Sequence, residues 1–369
     1  MLKGENGIIT RIVVCLDGTS PQYISLSDTP TLDAIARKGF STLGRAVVPT
    51  VTNVNNTSII TASFPEVHGI TSNYFLDLST GKEQYMESSE YLLKETLFER
   101  IGRKGIKSAL ITAKEKLKTL ISRGAEIAES AEKPSRWLVD RIGAPPEFYT
   151  IETNHWLFRA AREILITKSP NVLYLTTTDY ATHTYPPEDE RSQWNFHELD
   201  RLLGEIMNTS SDIEIIVTAD HGMNAKFYAL DLTRILYEAG VTGTAIPIIK
   251  DRHVVHHKNL GGSAYIYLKD PSDMDRAMAL LREEKGIERI MPSSEAARLF
   301  RLHPERIGHL FVLADVHTVF GAISSAREEV SVRSHGSLHE REIPICGLGK
   351  GPMAHQPTSN SEVAAWLDT

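Results

Sequence analysis

Four stretches of this chain are too apolar and too rich in β-branched residues to lie at a surface. Arg11–Leu16 (RIVVCL), Ser108–Thr112 (SALIT), Asn171–Thr177 (NVLYLTT) and Asp212–Ala219 (DIEIIVTA) each read as a short strand buried on both faces. Strands of that kind belong to parallel sheets covered by helices. Helical patterns lie between them: Thr29–Gly39, with Pro30 near its start and Gly39 as its stop, then Glu90–Gly105, Asn154–Lys168 and Glu188–Met207. The alternation predicts an α/β fold with a doubly wound, mostly parallel sheet.

The pattern changes near Thr244. Ser263–Leu268 alternates, Pro271–Glu284 is helical, Gly286–Met291 can pair back, Ser293–Phe300 is a short helix and His309–Ala314 another strand. Residues 245–325 are therefore expected to form a small inserted α+β cap, with 1–244 and 326–369 making the main domain. Val332–His339 and Ile343–Leu348 return the chain to the core. Residues 119–150, mostly polar and closed by Pro145-Pro146, suggest an additional helical cap element.

Three of the apolar runs hand over to an acid: Asp17, Asp179 and Asp220. In open α/β sheets, ligands bind outside the carboxyl ends of the strands. One aspartate there is usually a turn residue or helix cap, but these come with histidines. His183 follows Asp179 by four residues, His221 follows Asp220 directly, and His335 stands in Ser334-His335-Gly336. The chain has only two cysteines, Cys15 and Cys346, so neither a disulfide framework nor a cysteine metal site is expected. Carboxylates and imidazoles without thiolates suit zinc or a related divalent ion, manganese or iron included. They are too many for one tetrahedral site and fit two metals about 3.5–4 Å apart.

A nucleophile for such a centre is offered by Val48–Tyr74. There Thr52 precedes the polar run Asn53-Val54-Asn55-Asn56, a helix-like stretch Thr57–Ser63 and a Pro-Glu-Val-His-Gly turn. A loop that presents a hydroxyl at a helix N-terminus suits attack on an anionic phosphoryl group. The plainer account is an N-capped helix whose Thr and Asn side chains satisfy backbone donors.

Asp17, Thr52, Asp179-x-x-x-His183, Asp220-His221-Gly222 and Ser334-His335-Gly336 together resemble the alkaline phosphatase superfamily over nearly the whole chain. Threonine at the nucleophile position is similar to the nucleotide pyrophosphatase/phosphodiesterase branch. Thr52–Asn56, Pro65–Ile70 with Asn73-Tyr74-Phe75, and Thr112–Leu117 resemble the phosphonoacetate hydrolases within it. The resemblance implies one zinc on Asp179, His183 and His335, and a second on Asp17, Asp220, His221 and the Thr52 oxygen. It further implies that Asn73 binds a phosphonate oxygen, that Lys114 and Lys116 hold the substrate's carboxylate and phosphonate, and that the C–P bond is cleaved through a phosphothreonine. A phosphodiesterase or nucleotide pyrophosphatase on the same scaffold is the near alternative. A non-catalytic binding module is the distant one.

The lysine pair has a logic of its own, because residues i and i+2 share a face in extended chain and both ammonium groups can meet one small anion. The plainer reading is a solvated first helical turn. Thr61-Ala62-Ser63 and Ser72 depart from the family, which commonly has glycine at these positions. His253, His256 and His257, near the cap junction, either line the entrance or belong to a solvated loop. A net charge of −7 without a long basic run argues against nucleic acid or anionic membrane as a partner. No run of about 18 apolar residues is present. Ile8–Leu16 carries Arg11 and lacks a cleavage pattern, so a cytoplasmic enzyme is expected, and the resemblance implies a small anionic phosphonate as its substrate. Oligomeric state is open, a homodimer included.

Overall fold

The computed structural model describes residues 3–4, 7–252, 258–349 and 356–368. His253, His256 and His257 lie outside the described residues. The frame is a seven-stranded sheet in the order Phe40–Arg45, Glu342–Leu348, Ile213–Thr218, Thr10–Cys15, Val172–Thr176, Ser108–Thr112, Ile127–Ser130. Only Glu342–Leu348 runs against its neighbours, so the sheet is mostly parallel, as expected.

The four apolar runs are its centre, and alternation along each strand divides the core in two. Val13, Cys15, Leu110, Tyr174 and Ile216 face a cluster with Val54, Ile59, Phe98, Leu117 and Ile121. These come from helices Thr52–Thr61, Leu97–Gly102 and Glu115–Ile121. Ile12, Val14, Ile111, Leu173 and Ile215 face Leu32, Ile35, Trp156, Ile164 and Phe196 on the other side. Those belong to helices Pro30–Lys38, Glu152–Lys168 and Glu190–Met207. Helices cover both faces, which is the doubly wound arrangement.

Three expectations are corrected. The helix read over Glu90–Gly105 is a single 3₁₀ turn, Ser89–Tyr91, and a short helix, Leu97–Gly102. The later start follows from a capping box: the Thr96 hydroxyl accepts from Glu99 N, and the Glu99 carboxylate accepts from Thr96 N. Segment 119–150 is not simply helical. It contributes strand Ile127–Ser130 to the sheet edge, followed by helix Arg136–Ile142. The helix expected over Thr57–Ser63 starts five residues before Thr57, at Thr52 itself. Its asparagines do not stop it because their amides find partners inside the fold. Asn53 donates to Met86 O at 3.1 Å, and Asn55 donates to the Val47, Pro49 and Val51 carbonyls at 3.1, 3.1 and 3.2 Å.

Within the block expected to be a cap, Ser263–Leu268, Ile287–Pro292 and Leu310–Ala314 join Gly243–Pro247 in a four-stranded antiparallel sheet. A third sheet places Asn224–Leu230 between Thr318–Phe320 and Arg327–Ser334, and thereby positions His335. Among the described residues no helix is long and apolar enough to cross a membrane.

Candidate active site

Parallel register brings Asp17, Asp179 and Asp220 to one edge of three adjacent strands, and all three are buried. His221 Nε2 lies 3.5 Å from Asp17 Oδ1 and 3.5 Å from Asp220 Oδ2. His183 Nε2 lies 3.1 Å, and His335 Nε2 3.7 Å, from Asp179 Oδ2. The His221 and His335 rings stack at 3.8 Å between centroids, with 11° between planes. Ligand atoms of Asp17, Asp220 and His221 lie within 4.8 Å of one another, and so do those of Asp179, His221 and His335. His221 stands between the two groups. His183 reaches the second group through Asp179.

The chemistry of this donor set fits divalent ions. Each imidazole has Nδ1 against a backbone carbonyl: His183 against Arg333 O at 2.7 Å, His335 against Thr50 O at 2.7 Å, His221 against Gly222 O at 2.9 Å. A carbonyl only accepts, so Nδ1 carries the proton and Nε2 is the lone-pair nitrogen. Burial pushes the His221 pKa down. Burial and the neighbouring His221 and His183 rings push that of His335 well down, so neither ring supplies positive charge. Burial, then Asp220 and Asp179, push Asp17 well up, and burial raises Asp220 as well. Asp17 Oδ1 is buried and accepts no hydrogen bond among the described residues. Burial and the neighbouring carboxylates work against the ionised forms of Asp17 and Asp220, a bias that divalent cations would reverse.

Thr52 is the first residue of a ten-residue helix, and its Oγ1 lies 3.4 Å from His221 Nε2. Sequence reasoning missed the residue that ties this helix to the carboxylates. Asn56 donates to Thr52 O at 3.0 Å and to Asp220 Oδ2 at 3.2 Å, while its oxygen accepts from Tyr174 OH at 2.7 Å. Its signal was present, since residues i and i+4 share a helix face, but it required starting the helix at Thr52. Thr50 makes a second tie. Its hydroxyl donates to Ser337 O at 2.9 Å and accepts from Gly336 N at 3.0 Å.

Asn73, Lys114 and Lys116 line the same small cavity as Thr52, Asp179 and His335. The extended backbone expected for the lysine pair holds only at Lys114, which precedes helix Glu115–Ile121. Lys114 Nζ lies 3.4 Å from Asp179 Oδ1. Burial works against its charge, but Asp179, Asp17 and Asp251 outweigh burial and hold its pKa above the ordinary lysine value. Lys116 Nζ pairs with Asp251, which also accepts from Asn73 Nδ2 at 3.3 Å. Asp251 was not anticipated.

Of the two glycine departures, Ser72 builds its own turn, accepting from Tyr74 N at 3.0 Å and donating to Tyr74 O. Ala62 sits in left-handed backbone at φ 50° to end the helix, where glycine carries no penalty.

Residues 11–338 match the model of the type I phosphodiesterase / nucleotide pyrophosphatase family. The chain belongs to that family. It is 25% identical to a venom phosphodiesterase from Naja atra over 230 residues, a stretch covering 58% of this chain and 26% of the snake protein. A pyrophosphatase/phosphodiesterase of Schizosaccharomyces pombe is also 25% identical, over 232 residues, 58% of this chain and 44% of the yeast protein. The chain thus spans less than half the length of these relatives. Among solved structures, phosphonoacetate hydrolase from Sinorhizobium meliloti 1021 in complex with phosphonoacetate superposes with a TM-score of 0.88. Identity there is 31%, with 98% of this chain and 95% of the other covered. Murine ectonucleotide pyrophosphatase / phosphodiesterase 5, with 17% identity and a TM-score of 0.71, shares the fold over 97% of this chain and 94% of its own.

Proposed function

We propose that this member of the family cleaves the carbon–phosphorus bond of phosphonoacetate, giving acetate and phosphate. The observation that carries the reading is that two lysines and Asn73 line one cavity with the Thr52 hydroxyl. A diester offers nothing for a second ammonium group to hold, whereas phosphonoacetate carries a carboxylate next to the carbon that leaves.

Asp17, Asp220, His221 and the Thr52 oxygen would hold one divalent ion, and Asp179, His183 and His335 the other, most naturally zinc. When bound, the ions would supply positive charge for the attacking and phosphoryl oxygens. The Thr52 oxygen attacks phosphorus, forming the P–O bond of a phosphothreonine as the P–C bond breaks. The electron pair of that bond passes to the methylene carbon and delocalises into the adjacent carboxylate as an enolate, which takes up a proton to give acetate. Lys114 and Lys116 stabilise charge where it develops, Asn73 orients a phosphonate oxygen, and water then hydrolyses the phosphothreonine.

Purified, zinc-loaded protein is expected to release phosphate from phosphonoacetate, and Thr52→Ala to abolish that release. Lys114→Ala and Lys116→Ala should lower kcat/KM for phosphonoacetate far more than for an aryl nucleotide ester. A wild-type enzyme that turns over the ester and leaves phosphonoacetate intact would make this a phosphodiesterase.

A further inference from the structure

The cavity beside Thr52 has a volume of about 20 Å³, room for little more than one water. A chamber of about 340 Å³ adjoins it, and the two share Lys114, Lys116 and Asp251 as a common wall. A small phosphonate fits the larger space, and its way from there to Thr52 runs past Lys114, Lys116 and Asp251.

The two halves of the Lys116–Asp251 pair are held very differently. Asn259 brackets the Asp251 backbone, its side-chain oxygen accepting from Asp251 N at 2.9 Å and its nitrogen donating to Asp251 O at 3.1 Å. The flanking residues are anchored too. Lys250 Nζ sits 3.8 Å above the Tyr74 ring, and the Arg252 guanidinium 4.2 Å above that of Tyr85. The Asp251 side chain is only 8% exposed, whereas that of Lys116 is 27% exposed on a four-carbon stem. The lysine is the movable partner.

We propose that Asp251 is a specificity-determining residue, a built-in carboxylate that occupies Lys116 until a substrate carrying a second acidic group takes the ammonium from it. This rests on the phosphonate–carboxylate reading above. A phosphonate with a carboxylate exchanges one carboxylate partner of Lys116 for another, and the wall opens as it binds. A ligand with a phosphonate or phosphodiester alone has nothing to offer in exchange, so Lys116 stays on Asp251 and the inner cavity stays water-sized. Selection arises from the cost that Asp251 imposes on ligands lacking the second anion, as well as from contacts to the right one.

Zinc-loaded Thr52→Ala protein, which cannot turn over, is titrated calorimetrically with phosphonoacetate and with methylphosphonate, with and without Asp251→Asn. The asparagine keeps an oxygen for Asn73 and Lys116 and removes only the charge. Phosphonoacetate is expected to bind about five- to tenfold more tightly in the Asp251→Asn protein, with methylphosphonate changed less than twofold. The gain should disappear when Lys116→Met is added, and Asp251→Ser should reproduce it. Unchanged or weaker phosphonoacetate binding, equal tightening of both ligands, or a gain that survives Lys116→Met overturns the proposal. Failure of C–P bond hydrolysis itself shows separately, as absence of phosphate release by the wild type.

Discussion

Lys226 and Glu340 form an ion pair in which both side chains are 0% exposed, and replacing Lys226 tests whether it fixes the candidate site. Lys226 Nζ donates to Glu340 Oε1 at 2.8 Å and to Val316 O at 3.0 Å. Glu340 also accepts from Asn224 Nδ2 at 2.8 Å, Ser337 N at 3.0 Å and Ser337 Oγ at 2.7 Å. Its main-chain oxygen accepts from Gly222 N at 2.8 Å. One residue therefore joins the loop after His221 to the loop after His335. Lys226→Met leaves the carboxylate buried with three neutral donors. Breaking a buried pair costs about 3–5 kcal/mol, and those donors argue for about 3 kcal/mol. At roughly 2 °C per kcal/mol in a chain of this size, Tm falls by about 6 °C. Zinc affinity, measured against a competing chelator, should weaken about tenfold because two ligand loops lose a common anchor. Lys226→Met/Glu340→Gln should be more stable than Lys226→Met, since the orphaned charge is gone. Burial raises the Glu340 pKa, but Lys226, Ser337 and Asn224 outweigh burial and hold it below the ordinary glutamate value. Its contribution is thus present above that ordinary value and lost as pH falls through the lowered one. The Tm gap between wild type and Lys226→Met should accordingly narrow on acidification. An unchanged Tm for Lys226→Met, or a double variant less stable than the single, refutes the reasoning.

Two further outcomes are expected. Ala62→Gly should raise Tm by one to three degrees, because a left-handed Cβ costs about 1–2 kcal/mol and the greater freedom of glycine in the unfolded chain offsets part of the gain; a fall in Tm on thermal unfolding would count against it. Chelation should lower Tm and added zinc restore it, by about 2.7 kcal/mol at a hundredfold excess over Kd; scanning fluorimetry that finds no zinc dependence would show that the buried carboxylates are balanced in some other way.

The position of the candidate acids at the strand ends was legible because two simple rules coincide. A run such as RIVVCL must be buried, and the acid that ends it must then lie at the sheet's carboxyl edge. Asp17, Asp179 and Asp220 were placed by that reasoning, and His183 by its four-residue spacing from Asp179. What escaped was set by tertiary contact. Strand Phe40–Arg45 lies at the sheet edge with Ser41, Leu43 and Arg45 exposed, so it lacks a buried-strand pattern. Helix Thr52–Thr61 is buried on every side, so no amphipathic period marks its start. Asp251 meets Lys116 across 135 positions of sequence, and no local signal distinguishes it from any acid in a loop.

Two of the buried ionic clusters differ in a way that bears on function. At Lys226–Glu340 opposite charges meet and each Glu340 oxygen has donors, so the cluster is complete without a ligand. At Asp17, Asp179 and Asp220, Lys114 is the ammonium group paired with the cluster among the described residues, through Asp179, and burial pushes the pKa values of His221 and His335 down. Binding of divalent ions, as proposed above, would relieve this arrangement of like charges and turn the cavity side electropositive. Lys116 reaches that cavity under the hold of Asp251. The candidate site thus combines an attraction for anions with a carboxylate that must be outcompeted. Under the proposed function, that combination would favour a small molecule with two acidic groups over a larger ester with one.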